Sequence, residues 1–328
     1  MRPRILSAVS DWADPLWLAE AHAWIHEELA RLDAAAAGPI EQPHVRPWST
    51  VLRVPMRSGA VWFKASIPTL AHEAAVVGVL AGRRPDCVPQ LLATDLARGW
   101  MLMADGGVRL RETIERERDL RRWLDVLPRY AGLQIDAADD AEELVTLGLP
   151  DRRLAVLPGQ YEQLLDQVAG LTAAERRRLR SLVPRVGEMC EELAGHGLPE
   201  TIQHDDLHDG QVFVRDDGYL FFDWGDACVS HPFFTLSVTL EGQIAWGLDD
   251  VEGSVDVSPF RDAYLHPFTR FAPAADLKAA CTTAIRLGWV CRALNVQRFA
   301  SALEPPARDE HLAGAGLRLR MFLAVAAG

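Results

Sequence analysis

The chain has 328 residues, 49% of them hydrophobic, which suits a soluble globular protein able to bury a large core. A formal net charge of −12 argues against nucleic acid or an anionic membrane surface as partner. No segment approaches the roughly 20 apolar residues of a membrane span, and the amino terminus lacks the long apolar run of a signal peptide. The five cysteines (Cys87, Cys190, Cys228, Cys281 and Cys291) are scattered without metal-ligand spacing, which predicts a reduced, cytoplasmic protein.

In chain order, Asp14-Pro15 supplies a helix cap and first turn. The helix is expected to run to about Asp33 and to end in the alanine run before Gly38, giving an N-terminal helical extension over 1–38. Extended, apolar-alternating chain follows from Pro43 to Val54, bent at Pro47-Trp48-Ser49, and pairs with Val61-Trp62-Phe63 across the Arg57-Ser58-Gly59 turn. The stretch Thr69–Leu80 has helical spacing, with Leu70, Glu73, Val77 and Leu80 on one face. Strands are predicted at Gln90–Thr94 and Trp100–Met103, and Ala104-Asp105-Gly106-Gly107 breaks the pattern. Helical patterns then dominate, over roughly 119–136, 157–168, 172–194, 232–245, 259–265, 274–296 and 307–325. Thr172 and Glu175 form a capping-box signature. Pattern alone gives an α+β fold.

The most informative stretch interrupts those helices. Two acidic clusters, His204–Asp209 and Asp223–Asp226, flank an apolar hairpin made of Val212-Phe213-Val214, the Asp216-Asp217-Gly218 turn and Tyr219–Phe222. A hairpin of that length brings its ends together, so Asp206, Gln211 and Asp223 are expected to share one small volume. Converging carboxylates repel unless a cation or proton is shared among them, and oxygen ligands of this kind suit Mg²⁺.

This arrangement resembles the catalytic segment of the aminoglycoside phosphotransferase and choline kinase-like family, distant relatives of the protein kinases. The family's His-x-Asp, its metal-binding Asn after four intervening residues and its Asp after the hairpin fall on His204, Asp206, Gln211 and Asp223. The resemblance implies a bilobal protein-kinase-like fold: a nucleotide-binding N-lobe over 39–105, with a small antiparallel sheet, and a helical C-lobe over 106–328. It implies ATP and Mg²⁺ as cofactors and a small-molecule hydroxyl as phosphate acceptor. Asp206 would accept or orient the hydroxyl proton, Asp223 and Gln211 would hold the metal, and His204 would brace the loop. Gln211 departs from the pattern, because the family has Asn there and Gln reaches ~1.5 Å further.

Lysine usage supports the reading independently. Of 34 basic residues only Lys64 and Lys278 are lysines. Lys64 ends an apolar strand, and its ammonium is a compact point charge suited to phosphate oxygens. A lone lysine at a strand end could be chance, and Glu73 could be a surface residue. Yet Glu73 sits on the apolar stripe of the next helix, where an unpaired charge is costly, and Lys64 is its natural partner. By resemblance this pair aligns nucleotide phosphates, Ser49 stands in for the glycine-rich loop, and backbone groups from Met103 to Asp105 receive the adenine.

The acceptor site is expected on the helical side, among Asp226, Glu241, Trp246, Asp249 and Trp289, where carboxylates beside aromatic faces suit a cationic amino sugar or aminoglycoside. Singly, each also reads as solvated loop or helix core. Two other classes compete. His204, Asp205, Asp206, His208 and Asp209 superficially suit a metal-dependent phosphohydrolase, and Gln211 suits a non-catalytic nucleotide-binding relative.

Overall fold

The computed structural model describes residues 12–326. Its strands are β1 (Glu41–Arg46), β2 (Ser49–Pro55), β3 (Ala60–Ser66), β4 (Leu91–Asp95), β5 (Trp100–Ala104), β6 (Val108–Arg109), β7 (Thr201–Gln203), β8 (Val212–Arg215), β9 (Gly218–Phe221) and β10 (Cys228–Ser230). Its helices are α1 (Pro15–Arg31), α2 (Glu73–Arg83), α3 (Leu110–Glu117), α4 (Trp123–Asp136), α5 (Ala141–Thr146), α6 (Leu157–Gln167), α7 (Ala173–Ser181), α8 (Val183–Gly195), α9 (Ser258–Leu265), α10 (Ala274–Ser301) and α11 (Ala307–Val325).

The first five strands form one antiparallel sheet in the order β1-β2-β3-β5-β4. Leu52, Phe63 and Leu102 lie in register across its centre and are fully buried. Their face is covered by α1, whose Trp17 and Trp24 meet Phe63 and Trp100 edge-on or tilted, at centroid distances of 5.4–6.4 Å counting the Phe63–Trp100 pair itself. Asp14 caps α1 by accepting from the Leu16 N–H, as its sequence predicts. Successive strand side chains alternate faces. Lys64 therefore points away from α1, toward α2 and the helical region.

The hairpin β8–β9 forms as expected, and β6 adds to its edge, so the chain leaving the first sheet is stitched directly onto that hairpin. Behind it, α10 runs through the helical core against α11, α8 and α6. Gly288, in mid-helix, permits this: a Cβ there would lie 1.9 Å from Ser237 Oγ and 2.5 Å from the Phe234 carbonyl oxygen.

Two predicted helices differ in detail. The 172–194 helix is split at Leu182, where Pro184 opens α8; the predicted capping box at Thr172 and Glu175 is present. The helix expected over 232–245 is broken into a 3₁₀ turn at Pro232–Thr235, a π turn at Ser237–Glu241 and a 3₁₀ turn at Ile244–Trp246. Hydroxyls compete with the helical ladder there: Ser237 Oγ donates to the Phe234 and Ile285 carbonyls, and Thr239 Oγ1 to the Leu207 and Thr235 carbonyls. The Thr239–Leu207 bond ties this irregular segment to the His204–Asp209 loop.

Candidate active site

Lys64 lies at the centre of the site. Its Nζ is 2.7 Å from Glu73 Oε1, 2.6 Å from Glu73 Oε2 and 2.6 Å from Asp223 Oδ1. A single 3₁₀ turn (Pro68–Leu70) starts the crossing from β3, and α2 opens with Glu73. Glu73 also accepts from the Trp224 N–H at 3.1 Å, and the neighbouring His72 donates from Nε2 to the Gly225 carbonyl at 3.1 Å. The start of α2 thus docks onto the turn that follows the hairpin. In that turn Asp223 adopts the left-handed conformation at φ +63°, uncommon for a residue with a side chain and tolerated by Asp.

Burial alone would lower the Lys64 pKa, but the two facing carboxylates raise it above its ordinary value. Withdrawal from solvent works to raise Asp223, and the Lys64 charge overrides it, holding the carboxyl at about 2. Burial pushes Glu73 up to about 7, because the ammonium that opposes this is shared with Asp223. Gln211 Nε2 donates to Asp223 Oδ2 at 2.9 Å, so Gln211 and Asp223 converge as the hairpin predicts. An oxygen-rich pair, one carboxylate and one amide that can turn its carbonyl inward, fits a hard divalent cation.

The His204–Asp209 loop is held from below. His204 is buried, its Nε2 donates to the Phe222 carbonyl at 2.7 Å, and its ring packs on Trp224. Burial lowers its pKa, so the neutral ring acts as a brace. Asp209 is buried and takes Arg111 Nε at 2.8 Å, and Gly210 donates its N–H to His208 Nδ1. Asp206 stays partly exposed, with Oδ1 at 2.8 Å from Arg292 Nη2. The same guanidinium binds Asp205 Oδ2 at 3.0 Å and Asp226 Oδ2 at 2.9 Å. The carboxylates grouped for a phosphohydrolase are thereby dispersed: Asp205 and Asp206 face Arg292, Asp209 faces Arg111, and His204 faces a carbonyl. Among the described residues, the one set of three His, Cys, Asp or Glu side chains close enough to ligate a metal is Asp205, Cys228 and Cys291. Asp205 there is already taken by Arg292.

A small apolar seam, separate from the main core, joins Ala74, Met101 and Met103 with Trp62, Leu91 and Phe222. Met103 thus contributes its side chain here and its backbone to the sheet. Asp105 is exposed past the strand end, its Oδ1 accepting from the Gly107 N–H at 2.9 Å. Gly106 must be glycine, because a Cβ would come within 2.5 Å of the Phe222 ring. Ser49 is buried opposite Ser66 at the start of β2, and Trp48 before it packs on Phe299 and His311.

The acceptor-side residues fall into three groups, with Glu241, Trp246 and Trp289 brought together and Asp226 and Asp249 apart from them. Asp226 joins the Arg292 cluster. Glu241 accepts from Trp289 Nε1 at 3.0 Å through its carboxylate and from Trp246 Nε1 at 3.0 Å through its carbonyl. Trp289 is a core residue, 2% exposed. Asp249 is exposed and paired with Arg118.

Sequence reading missed Arg292, Phe222 and His44. A charged residue inside the apolar run Trp289–Leu294 is the same signal that singled out Glu73, and it points to Arg292. His44 lies in register with Val51, and through it with Lys64, on the Lys64 face of the sheet. Burial lowers its pKa.

A five-stranded sheet over a helical body, with a buried lysine–glutamate pair meeting the aspartate that follows a β-hairpin, defines a protein-kinase-like phosphotransferase. The profile of the phosphotransferase enzyme family matches residues 42–274. The chain belongs to that family, and it is a small-molecule kinase with a hydroxyl acceptor. Three solved structures share the fold. The choline kinase of Cryptosporidium parvum is 9% identical, covers 94% of this chain and 95% of its own, and has a TM-score of 0.60. An aminoglycoside 2'-phosphotransferase bound to GDP is 15% identical, with 94% and 98% covered and a TM-score of 0.60. The macrolide 2'-phosphotransferase of Brachybacterium faecium is 17% identical, with 89% and 97% covered and a TM-score of 0.56. No curated protein matches by sequence.

Proposed function

We propose that the protein transfers the γ-phosphoryl group of ATP to a hydroxyl of a small cationic molecule, an amino sugar or aminoglycoside. The observation that carries the reading is the contact of Lys64 with both Glu73 and Asp223. Lys64, aligned by Glu73, holds the nucleotide phosphates. The seam of Ala74, Met101, Met103, Leu91 and Phe222 takes the adenine face, with backbone groups from Met103 to Asp105 at its edge and the Ser49 turn above the phosphates. Asp223 and Gln211 hold Mg²⁺, which when bound supplies charge neutralisation at the phosphates. Asp206 orients the acceptor hydroxyl and takes its proton, and His204 fixes the loop. The catalytic effect comes from positioning and from charges already in place. We assign the nucleotide site to 39–105 and the acceptor site to the helical region after it, with residues 1–38 as an N-terminal extension.

A cationic acceptor is supported by the acidic balance of the chain, whose formal net charge is −12. Asp205, Asp206 and Asp226 crowd around Arg292, with Arg318 and Arg298 as further cations acting on them. Withdrawal from solvent pushes Asp226 up to about 6, with Arg292 opposing and Asp206 and Asp205 adding. Five unpaired cysteines support a reducing, cytoplasmic setting.

The test is incubation with Mg²⁺-ATP and a panel of glucosamine, aminoglycosides, choline and neutral sugars, read by mass spectrometry. A phosphorylated amino sugar or aminoglycoside is expected. Phosphorylation of neutral sugars alone would overturn the cationic class, and binding of ATP with no product from any acceptor would favour the non-catalytic relative that Gln211 suggests.

A further inference from the structure

The phosphotransferase reading leaves one buried charge without a task. Arg292 sits on α10, far along the chain from the catalytic segment, with a side chain only 8% exposed. Its neighbours in the helix, Trp289, Val290, Cys291, Ala293 and Leu294, are buried and apolar or nearly so. A guanidinium in such a place is retained only where its hydrogen bonds are used.

Both terminal nitrogens are used, on two neighbouring segments, while Nε has no partner. Nη1 bridges Asp205 Oδ2 and Asp226 Oδ2, and Nη2 takes Asp206 Oδ1. Asp205 is further fixed by Gln203 Nε2, which donates to its other oxygen at 3.2 Å, and its backbone is left-handed at φ +66°. The catalytic loop and the turn carrying Asp226 are therefore joined through one side chain. With Oδ1 of Asp206 occupied, Oδ2 is the oxygen left for a hydroxyl. His208 Nε2 stands 3.9 Å from that oxygen, beyond hydrogen-bond reach. Lysine could not do the same, because a single ammonium nitrogen cannot span three carboxylates as a planar fork does. Arg318 offers no substitute: it lies over the Trp289 ring at 6.0 Å, and its Nη1 meets the Met321 sulfur.

We infer that Arg292 is a positioning residue for the phosphoryl-transfer step, holding Asp206 with one carboxylate oxygen fixed and the other presented to the acceptor hydroxyl. The inference rests on the phosphotransferase reading and deepens it.

The test uses the full chain with Mg²⁺-ATP and water as acceptor, following phosphate release, with Mg²⁺-ATP affinity measured separately. Arg292→Ala is expected to lower kcat about 10²-fold, the scale of a misplaced reacting group, with the KM for Mg²⁺-ATP changed less than about threefold. Millimolar guanidinium should restore part of the turnover. The double variant R292A/D206N should be no slower than D206N, because Arg292 acts through Asp206. Should R292A not fold, R292K carries the test, with an expected loss of about tenfold in kcat at unchanged nucleotide affinity. Wild-type kcat in R292K and R292A, or a loss that adds to that of D206N, would overturn the role of Arg292 alone. A wild-type chain that neither binds Mg²⁺-ATP nor releases phosphate would overturn the phosphotransferase reading and this inference with it.

Discussion

Lys64 Nζ and Asp223 Oδ1 are 2.6 Å apart although 159 residues separate them in the chain. The contact joins the strand face opposite α1 to the turn after the hairpin, and Glu73 completes it from the start of α2. The strand β3, the helix α2 that follows it and the distant turn after the hairpin thus meet on one charge.

Lys64→Ala removes the cation facing both carboxylates. Turnover is expected to fall about 10²- to 10³-fold, the usual cost of one pre-organised charge donor. The melting temperature should also fall, since Glu73 is left buried without its counter-charge. Lys64→Arg should not restore activity, because the wider fork does not fit the space of an ammonium held by two carboxylates. Steady-state kinetics and a thermal melt check both statements.

Asp206→Asn keeps the shape of the side chain and its place beside Arg292, while removing the group that takes the proton. Turnover should drop by about 10²- to 10⁴-fold with Mg²⁺-ATP affinity unchanged. Retained turnover in this variant would remove Asp206 from the reaction.

Gln211→Ala deletes the amide that meets Asp223 at 2.9 Å. The Mg²⁺ concentration needed for half-maximal turnover should rise about 10- to 100-fold, in line with the loss of a group beside a metal carboxylate. Stability should change little, because the hairpin pairing does not involve that side chain. A magnesium titration of the variant decides the point.

Stability should fall with acid through two buried histidines. Burial, with Arg298 adding, holds His72 down at about 4, and burial, with His196 adding, holds His231 down at about 3. Both values lie below the unfolded value of 6.5, so the unfolded chain binds more protons in the window between. The stabilisation is complete above pH 6.5 and is lost as pH falls toward 4, by up to about 1.4 kcal/mol per pH unit for each histidine. His231→Asn should flatten the profile while keeping the side-chain cap that His231 Nδ1 gives the Phe233 N–H. Melting temperatures across pH 4 to 8 test the slope.

How much of this was legible in the sequence follows from how local each signal is. The hairpin, the Lys64–Glu73 pair and the cap at Asp14 are written in short-range pattern, namely apolar alternation, a charge on an apolar stripe, and Asp before Pro. The broken segment over 232–246 was not legible, because its hydroxyls bond to the Leu207 and Ile285 carbonyls, which only the fold brings near. Arg292 was legible as a charge inside an apolar run of a predicted helix, but nothing local says that three aspartates from two other segments meet there. Asp249 read as an acceptor residue through composition alone, and Arg118 is the partner that local pattern could not show.

The central claim is that Lys64 and Asp223 together form the seat of a metal–nucleotide complex. Calorimetric titration of ATP into the wild-type chain, with and without Mg²⁺, and into Lys64→Ala and Asp223→Asn, tests it most directly. Binding is expected to depend on Mg²⁺ in the wild type and to weaken at least tenfold in both variants. Affinity indifferent to the metal and to both substitutions would contradict it.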